Sequence, residues 1–177
     1  MDCPSFRLLL VDANVLIDYV KSELSILGLA ASQLGEIHVL STVLDEVDGL
    51  DADGCARLGI RVFEPELADV RVAAMKRGAL SAQDHLCLIV SRKQGWTCVT
   101  NDGALRRACQ QEQVPVLWGL QIMLELVRMR VLAGDDAIAV VQAIHRANPF
   151  HITSGIVDRF IEQIHASSGF KPPNLTA

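Results

Sequence analysis

Apolar and polar residues alternate along the chain with two periods. Leu8 to Val11 is an unbroken apolar run ending in Asp12, the pattern of a buried strand in a parallel sheet. Ala13 to Val20 then carries apolar residues at helical spacing, which puts Asp12 at a strand-to-helix junction. Leu24 to Leu34 predicts a second helix stopped by Gly35, and Glu36 to Ser41 a strand. Thr42 to Gly49 predicts a helix carrying Asp45, Glu46 and Asp48. Gly59 and Pro65 bracket a strand over Ile60 to Phe63, and Glu66 to Arg77 predicts a helix. Ser81-Ala82-Gln83-Asp84 has the S-x-x-D form of a capping box opening a helix to Gln94, with Gly95 as its stop. Thr97 to Thr100 predicts a strand, Asn101-Asp102 a junction, and Gly103 to Gln111 a helix. A short strand over Val114 to Trp118 and a helix over Leu120 to Val131 follow.

Strands alternating with helices predict an α/β fold with a mostly parallel sheet covered on both faces. Beyond Gly134 the pattern becomes wholly helical. Asp135 to Ala147 and Thr153 to Ala166 carry apolar stripes, Ala137/Ile138/Val140/Val141/Ile144 and Ile156/Val157/Phe160/Ile161/Ile164. The expected organisation is an α/β domain over residues 1–132 and a helical C-terminal extension packed on it over residues 133–177. No repeat is visible.

Composition narrows the class. The chain has 177 residues, half of them hydrophobic, enough for one domain with a substantial core. The longest stretch without a charge, Leu24 to Gly35, has about 12 residues and is too short to span a membrane. With no signal peptide readable, a cytoplasmic location is expected. The formal charge of −5 excludes a grip on nucleic acid by bulk positive charge. It leaves room for an acidic site flanked by local basic patches. The five cysteines, Cys3, Cys55, Cys87, Cys98 and Cys109, are scattered without C-x-x-C spacing and read as reduced thiols.

Asp12, Glu46, Asp84 and Asp102 stand out as a set. Singly, Asp12 and Asp102 read as helix N-caps, Asp84 as the acid of the capping box, and Glu46 as part of a solvated face. Together, Asp12 and Asp102 follow strand ends, where open α/β sheets bind ligands. Glu46 and Asp84 lie early in helices that could face the same edge. Gathered carboxylates repel one another and need a compensating cation. The oxygen-only donor set points to Mg²⁺ or Mn²⁺ rather than Zn²⁺.

These residues also carry a resemblance. Val11-Asp12-Ala13-Asn14-Val15-Leu16-Ile17-Asp18-Tyr19 resembles the opening motif of PIN-domain nucleases. Ser41 to Val47 resembles their second motif, with Glu46 as its acid and Asp45 or Asp48 as alternatives. Asp84 and the helix after it are similar to the third. Val99-Thr100-Asn101-Asp102 is similar to the fourth, in which a hydroxyl, here Thr100, stands two residues before the acid. The match covers about residues 7–120. The resemblance implies a PIN-like three-layer α/β/α fold with a five-stranded parallel sheet. It also implies an endoribonuclease using one or two Mg²⁺ or Mn²⁺ ions, most similar to VapC-type toxins of toxin–antitoxin pairs. Asp12, Glu46, Asp84 and Asp102 are the expected catalytic and metal-binding acids. Asn14, Thr100, Arg106 and Arg107 are the expected contacts to carboxylates or substrate phosphate. Expected partners are RNA, a cognate antitoxin protein, and further copies of the chain in a homodimer or higher homo-oligomer.

The competing reading is a catalytically silent PIN-like domain that binds RNA or acts as a protein scaffold. A phosphoryl-transfer receiver needs a Lys after the last strand, where Gly119-Leu120-Gln121 stands. A haloacid-dehalogenase-type phosphatase needs Asp where Asn14 stands. Asp18, a turn and a half beyond Asp12, and His85, beside Asp84, are set apart from the site. Trp96 and Trp118 are expected in the core, and the 5% aromatic content argues against recognition dominated by base stacking.

Overall fold

The computed structural model describes residues 8–75 and 78–168, with the side chain of Ser168 left out. Cys3, Lys76, Arg77 and the Pro-rich C-terminal end lie outside the described residues. The described residues divide into two compact units, broken between Gly119 and Leu120.

The first unit is an α/β fold. Its strands are β1 (Leu8–Val11), β2 (Glu36–Leu40), β3 (Ile60–Phe63), β4 (Thr97–Val99) and β5 (Val116–Leu117). All pair in parallel in the order β3-β2-β1-β4-β5. The apolar run of the N-terminal segment becomes the central strand, and Leu9, Leu10 and Val11 are fully buried, as a strand covered on both faces requires.

The helices of this unit are α1 (Ala13–Lys21), α2 (Ser25–Gln33), α3 (Ser41–Leu44), α4 (Ala52–Arg57), α5 (Leu67–Ala74), α6 (Ala82–Gln94) and α7 (Gly103–Gln111). Parallel connections cross over right-handedly. The path from β1 to β2 to β3 runs one way along the sheet, and the path through β4 to β5 runs the other. The rule therefore assigns α1–α4 to one face and α5–α7 to the opposite one. Contacts of α6 with both α5 and α7 agree with that assignment.

Two local differences from the sequence pattern concern the segment after β2. The helix predicted over Thr42 to Gly49 is a single turn, α3, followed by tight turns at Glu46 and Val47 and a left-handed Gly49 with φ of 89°. The additional helix α4 is capped by Asp51, whose side chain accepts from the Gly54 amide at 2.7 Å. Its six residues are too few to show a period. In β2 the alternation of Glu36, Ile37, His38 and Val39 suggests one polar face, yet His38 is buried. Its ring stacks on Trp96 at 4.2 Å between centroids, and Phe63 meets Trp96 edge-on.

The second unit holds α8 (Gln121–Arg128), α9 (Gly134–Ala147) and α10 (Ser154–Ser168). These helices pack on one another. The predicted stripes supply the buried positions Ala137, Val141 and Ile144 of α9 and Val157, Phe160 and Ile164 of α10. No described helix is long and apolar enough to cross a membrane.

Candidate active site at the carboxyl ends of β1 and β4

The strand order reverses direction between β1 and β4. In open α/β sheets the crevice outside the carboxyl ends of such a pair receives ligands. Asp12 follows β1 there, and Thr100, Asn101 and Asp102 follow β4. The Asp12 amide donates to the Val99 carbonyl at 3.0 Å, extending the pairing one residue past the strand.

Asp12 caps α1, accepting from the Asn14 amide at 2.5 Å through Oδ1, while Oδ2 accepts from the Thr100 hydroxyl. Thr100 is fully buried, and its oxygen in turn accepts from the Asp102 amide at 3.0 Å. Asp102 caps α7 through Leu105 N at 2.7 Å. Asp84 completes the predicted capping box, accepting from Ser81 N at 3.1 Å and Ser81 Oγ at 2.6 Å. All three aspartates thus hold helix termini, as each read singly.

Capping does not account for the burial of Asp12. Asp51 makes the same kind of cap with an exposed carboxylate, whereas Asp12 is 1% exposed. Burial pushes the Asp12 carboxyl up to about 6, against the lowering effect of the Thr100 and Asn14 bonds, and the Asp84 charge raises it further. Among the described residues neither Asp12 nor Asp84 pairs with a lysine or arginine. A buried carboxylate under the influence of a second one is costly unless something positive is supplied.

The other expected residues take varied positions. Glu46 is exposed in the turn after α3 and lines a small cavity with Ile17, Val20, Lys21 and Asp48; Asp45 is also exposed. Burial holds the Cys87 thiol well above the usual thiol range, and the charges of Asp12, Asp84 and Glu46 add to that. Asn14 is exposed and reaches Asp12 through its backbone amide. Arg106 is half-buried with its guanidinium 5.9 Å from the centre of the Trp118 ring, and Arg107 is exposed. Arg92 is engaged by Glu112, and Lys93 by Glu66 and Asp69.

Four supporting contacts are not apparent from the motifs. Asp18 is buried and accepts from the Asn101 side chain at 3.1 Å. Asn101 Oδ1 accepts from Gly119 N at 3.0 Å, and the Tyr19 hydroxyl donates to Gly119 O at 2.9 Å. Gln83, beside Asp84, bonds Thr42 through both its amide oxygen and nitrogen at 3.1 Å. Polar residues inside apolar runs, Asp18 above all, were the available signal.

Among the described residues no three His, Cys, Asp or Glu side chains stand close enough together to hold a metal ion. Mg²⁺ requires less, being held through one or two carboxylates while keeping several waters. Asp12 and Asp84 are hard oxygen donors, and the Asp84 charge acts on the buried Asp12 carboxyl, so the pair suits such an ion chemically.

The chain matches no protein-family model, no curated protein and no solved structure.

Proposed function

We propose that this chain is a Mg²⁺- or Mn²⁺-dependent endoribonuclease of PIN type, with its site at Asp12, Asp84 and Asp102. The observation that carries the reading is the burial of Asp12 at the reversal point of the sheet, without a basic partner and within the influence of the Asp84 charge. The motif resemblance adds the phosphodiester substrate, and the toxin role with an antitoxin partner follows from that same resemblance.

In this reading Asp12 and Asp84 would hold the ion. Asp102 and Glu46 would add negative charge at the site, with Asp45 and Asp48 as alternatives to Glu46. A bound divalent ion would make a water nucleophilic near neutral pH and offset charge on the phosphate. Thr100 fixes the Asp12 carboxylate by donating to Oδ2, leaving remaining lone pairs of both oxygens for the ion. Asn14 N holds Oδ1 from the other side. Arg106 and Arg107, on the helix opened by Asp102, supply positive charge for the substrate backbone.

A second reading, a catalytically silent domain that binds RNA or a protein, is favoured by one observation. The carboxylates of Asp84 and Asp102 are both engaged in capping. Incubating a mixed RNA pool with the purified protein in Mg²⁺ or Mn²⁺, in EDTA, and with Asp12→Asn separates the two. Metal-dependent cleavage lost in a folded Asp12→Asn supports the nuclease. RNA binding without cleavage in any metal supports the silent domain. Equal cleavage by both proteins would reject Asp12 as a catalytic residue.

A further inference from the structure

Trp118 directly follows β5 at the same sheet edge as Asp12 and Asp102. Its two chain neighbours are tied to the fourth-motif turn. The Leu117 carbonyl accepts from Thr100 N at 3.1 Å, and Gly119 N donates to Asn101 at 3.0 Å. Trp118 therefore lies about one strand spacing, 4.8 Å, from the turn that holds Asp12. Gly119 is required for this approach, since a Cβ there would meet Val15 Cγ2 at 2.7 Å and Asn101 Oδ1 at 2.8 Å.

The indole is half-exposed, unlike the buried Trp96, so one of the two tryptophans leaves the core. Arg106 stands over it in cation–π geometry. Arg106 is also one helical turn from Asp102, with Arg106 N donating to Asp102 O at 3.0 Å. Arg61, Arg92, Lys93 and Arg128 are consumed by ion pairs, whereas among the described residues Arg106 and Arg107 pair with no acid.

We infer that Trp118 and Arg106 form a clasp for one unpaired nucleobase and its adjoining phosphate, next to the acidic site. The inference rests on the nuclease reading and narrows its substrate to a single-stranded segment. A base in a duplex has both faces stacked and cannot lie on the indole, whereas an unpaired base presents its face and Arg106 then meets the backbone. One such platform agrees with the low aromatic content, because it anchors a single base and leaves the rest of the strand to charge.

The test is a fluorescence titration in EDTA, where binding occurs without cleavage. The probe is an unstructured oligoribonucleotide of about eight nucleotides, within the usual site size. The same length as a duplex and as an abasic strand gives the comparisons. Tryptophan emission is expected to fall with the single strand and to stay unchanged with the abasic strand. Trp118→Leu should weaken binding by about 5- to 100-fold and abolish the quench. Trp118→Phe, which keeps a ring, should retain most of the affinity and serves if the leucine variant fails to fold. Arg106→Gln should reduce the slope of log affinity against log salt by about 0.7. Equal affinity for the abasic strand or the duplex, or unchanged binding by a folded Trp118→Leu, would overturn the clasp. Metal-dependent cleavage is scored separately in Mg²⁺. Its absence with the quench intact rejects the nuclease and keeps the clasp, while cleavage unaffected by Trp118→Leu does the reverse.

Discussion

The hydroxyl of Thr100 donates to the carboxylate of Asp12, joining the ends of neighbouring parallel strands through residues 88 positions apart. The same oxygen accepts from the amide of Asp102, so one buried side chain couples two of the candidate acids. The relationship gives Thr100 a dual role, as a clamp on the carboxylate and as a link to the start of α7.

Thr100→Val removes that clamp while keeping the shape. It strands one Asp12 oxygen and the Asp102 amide, so the variant should lose about 1–3 kcal/mol of stability. Because the lost bond favours the ionised carboxylate, the Asp12 carboxyl should titrate still higher than in the parent. Urea denaturation and carboxyl-carbon NMR titration measure the two effects.

Asp12 makes the metal-free protein prefer acid at this site. Its folded-state value of about 6 exceeds the ordinary 3.8, so the folded chain binds the proton more tightly than the unfolded one. The associated stability is complete below about pH 3.8 and is lost as pH rises through about 6. The loss amounts to about 3 kcal/mol at most. Asp12→Asn should therefore be more stable than the parent at pH 8 in EDTA, with the gap closing below pH 4. Mg²⁺ or Mn²⁺ should raise the melting temperature of the parent and leave Asp12→Asn unmoved. Calorimetric scans across pH, with and without metal, provide the comparison.

His38 acts with the opposite sign. Burial lowers its pKa, helped by Arg61 and opposed by Glu36, so the folded protein holds the ring neutral. Its contribution is present above the ordinary value of 6.5 and is lost as pH falls through the lowered one. His38→Phe keeps a ring against Trp96 and should flatten the acid side of the stability profile. Retained pH dependence below 6.5 in this variant would assign that dependence to other groups.

Gly119→Ala should destabilise by about 1–3 kcal/mol through overpacking. The added methyl meets Val15 and Asn101 and strains the bonds from Gly119 to Asn101 and Tyr19. Denaturant midpoints will show it. A variant as stable as the parent would mean that the end of β5 yields easily.

Much of the fold was legible because its signals are local. An apolar run of strand length, a helical stripe and a glycine stop each act within a few residues. β3 and α7 accordingly lie where their patterns end, and the Ser81–Asp84 box forms as written. The segment after β2 was less legible. Its acids suggest a helix, but the chain turns after Leu44 and again at Gly49, where no single period dominates.

By itself, the sequence determined the alternation of strands and helices, the central apolar strand, and the placement of Asp12 and Asp102 at strand ends. Tertiary structure alone decided the order β3-β2-β1-β4-β5, the depth of Asp12, and the exposure of Glu46 and Trp118. It also decided that Asp18 meets Asn101 and that Tyr19 meets Gly119, pairs 83 and 100 residues apart. Local patterns specify which face of an element is apolar. Which elements become neighbours, and hence which carboxylates share a low-dielectric space, depends on packing the whole unit at once.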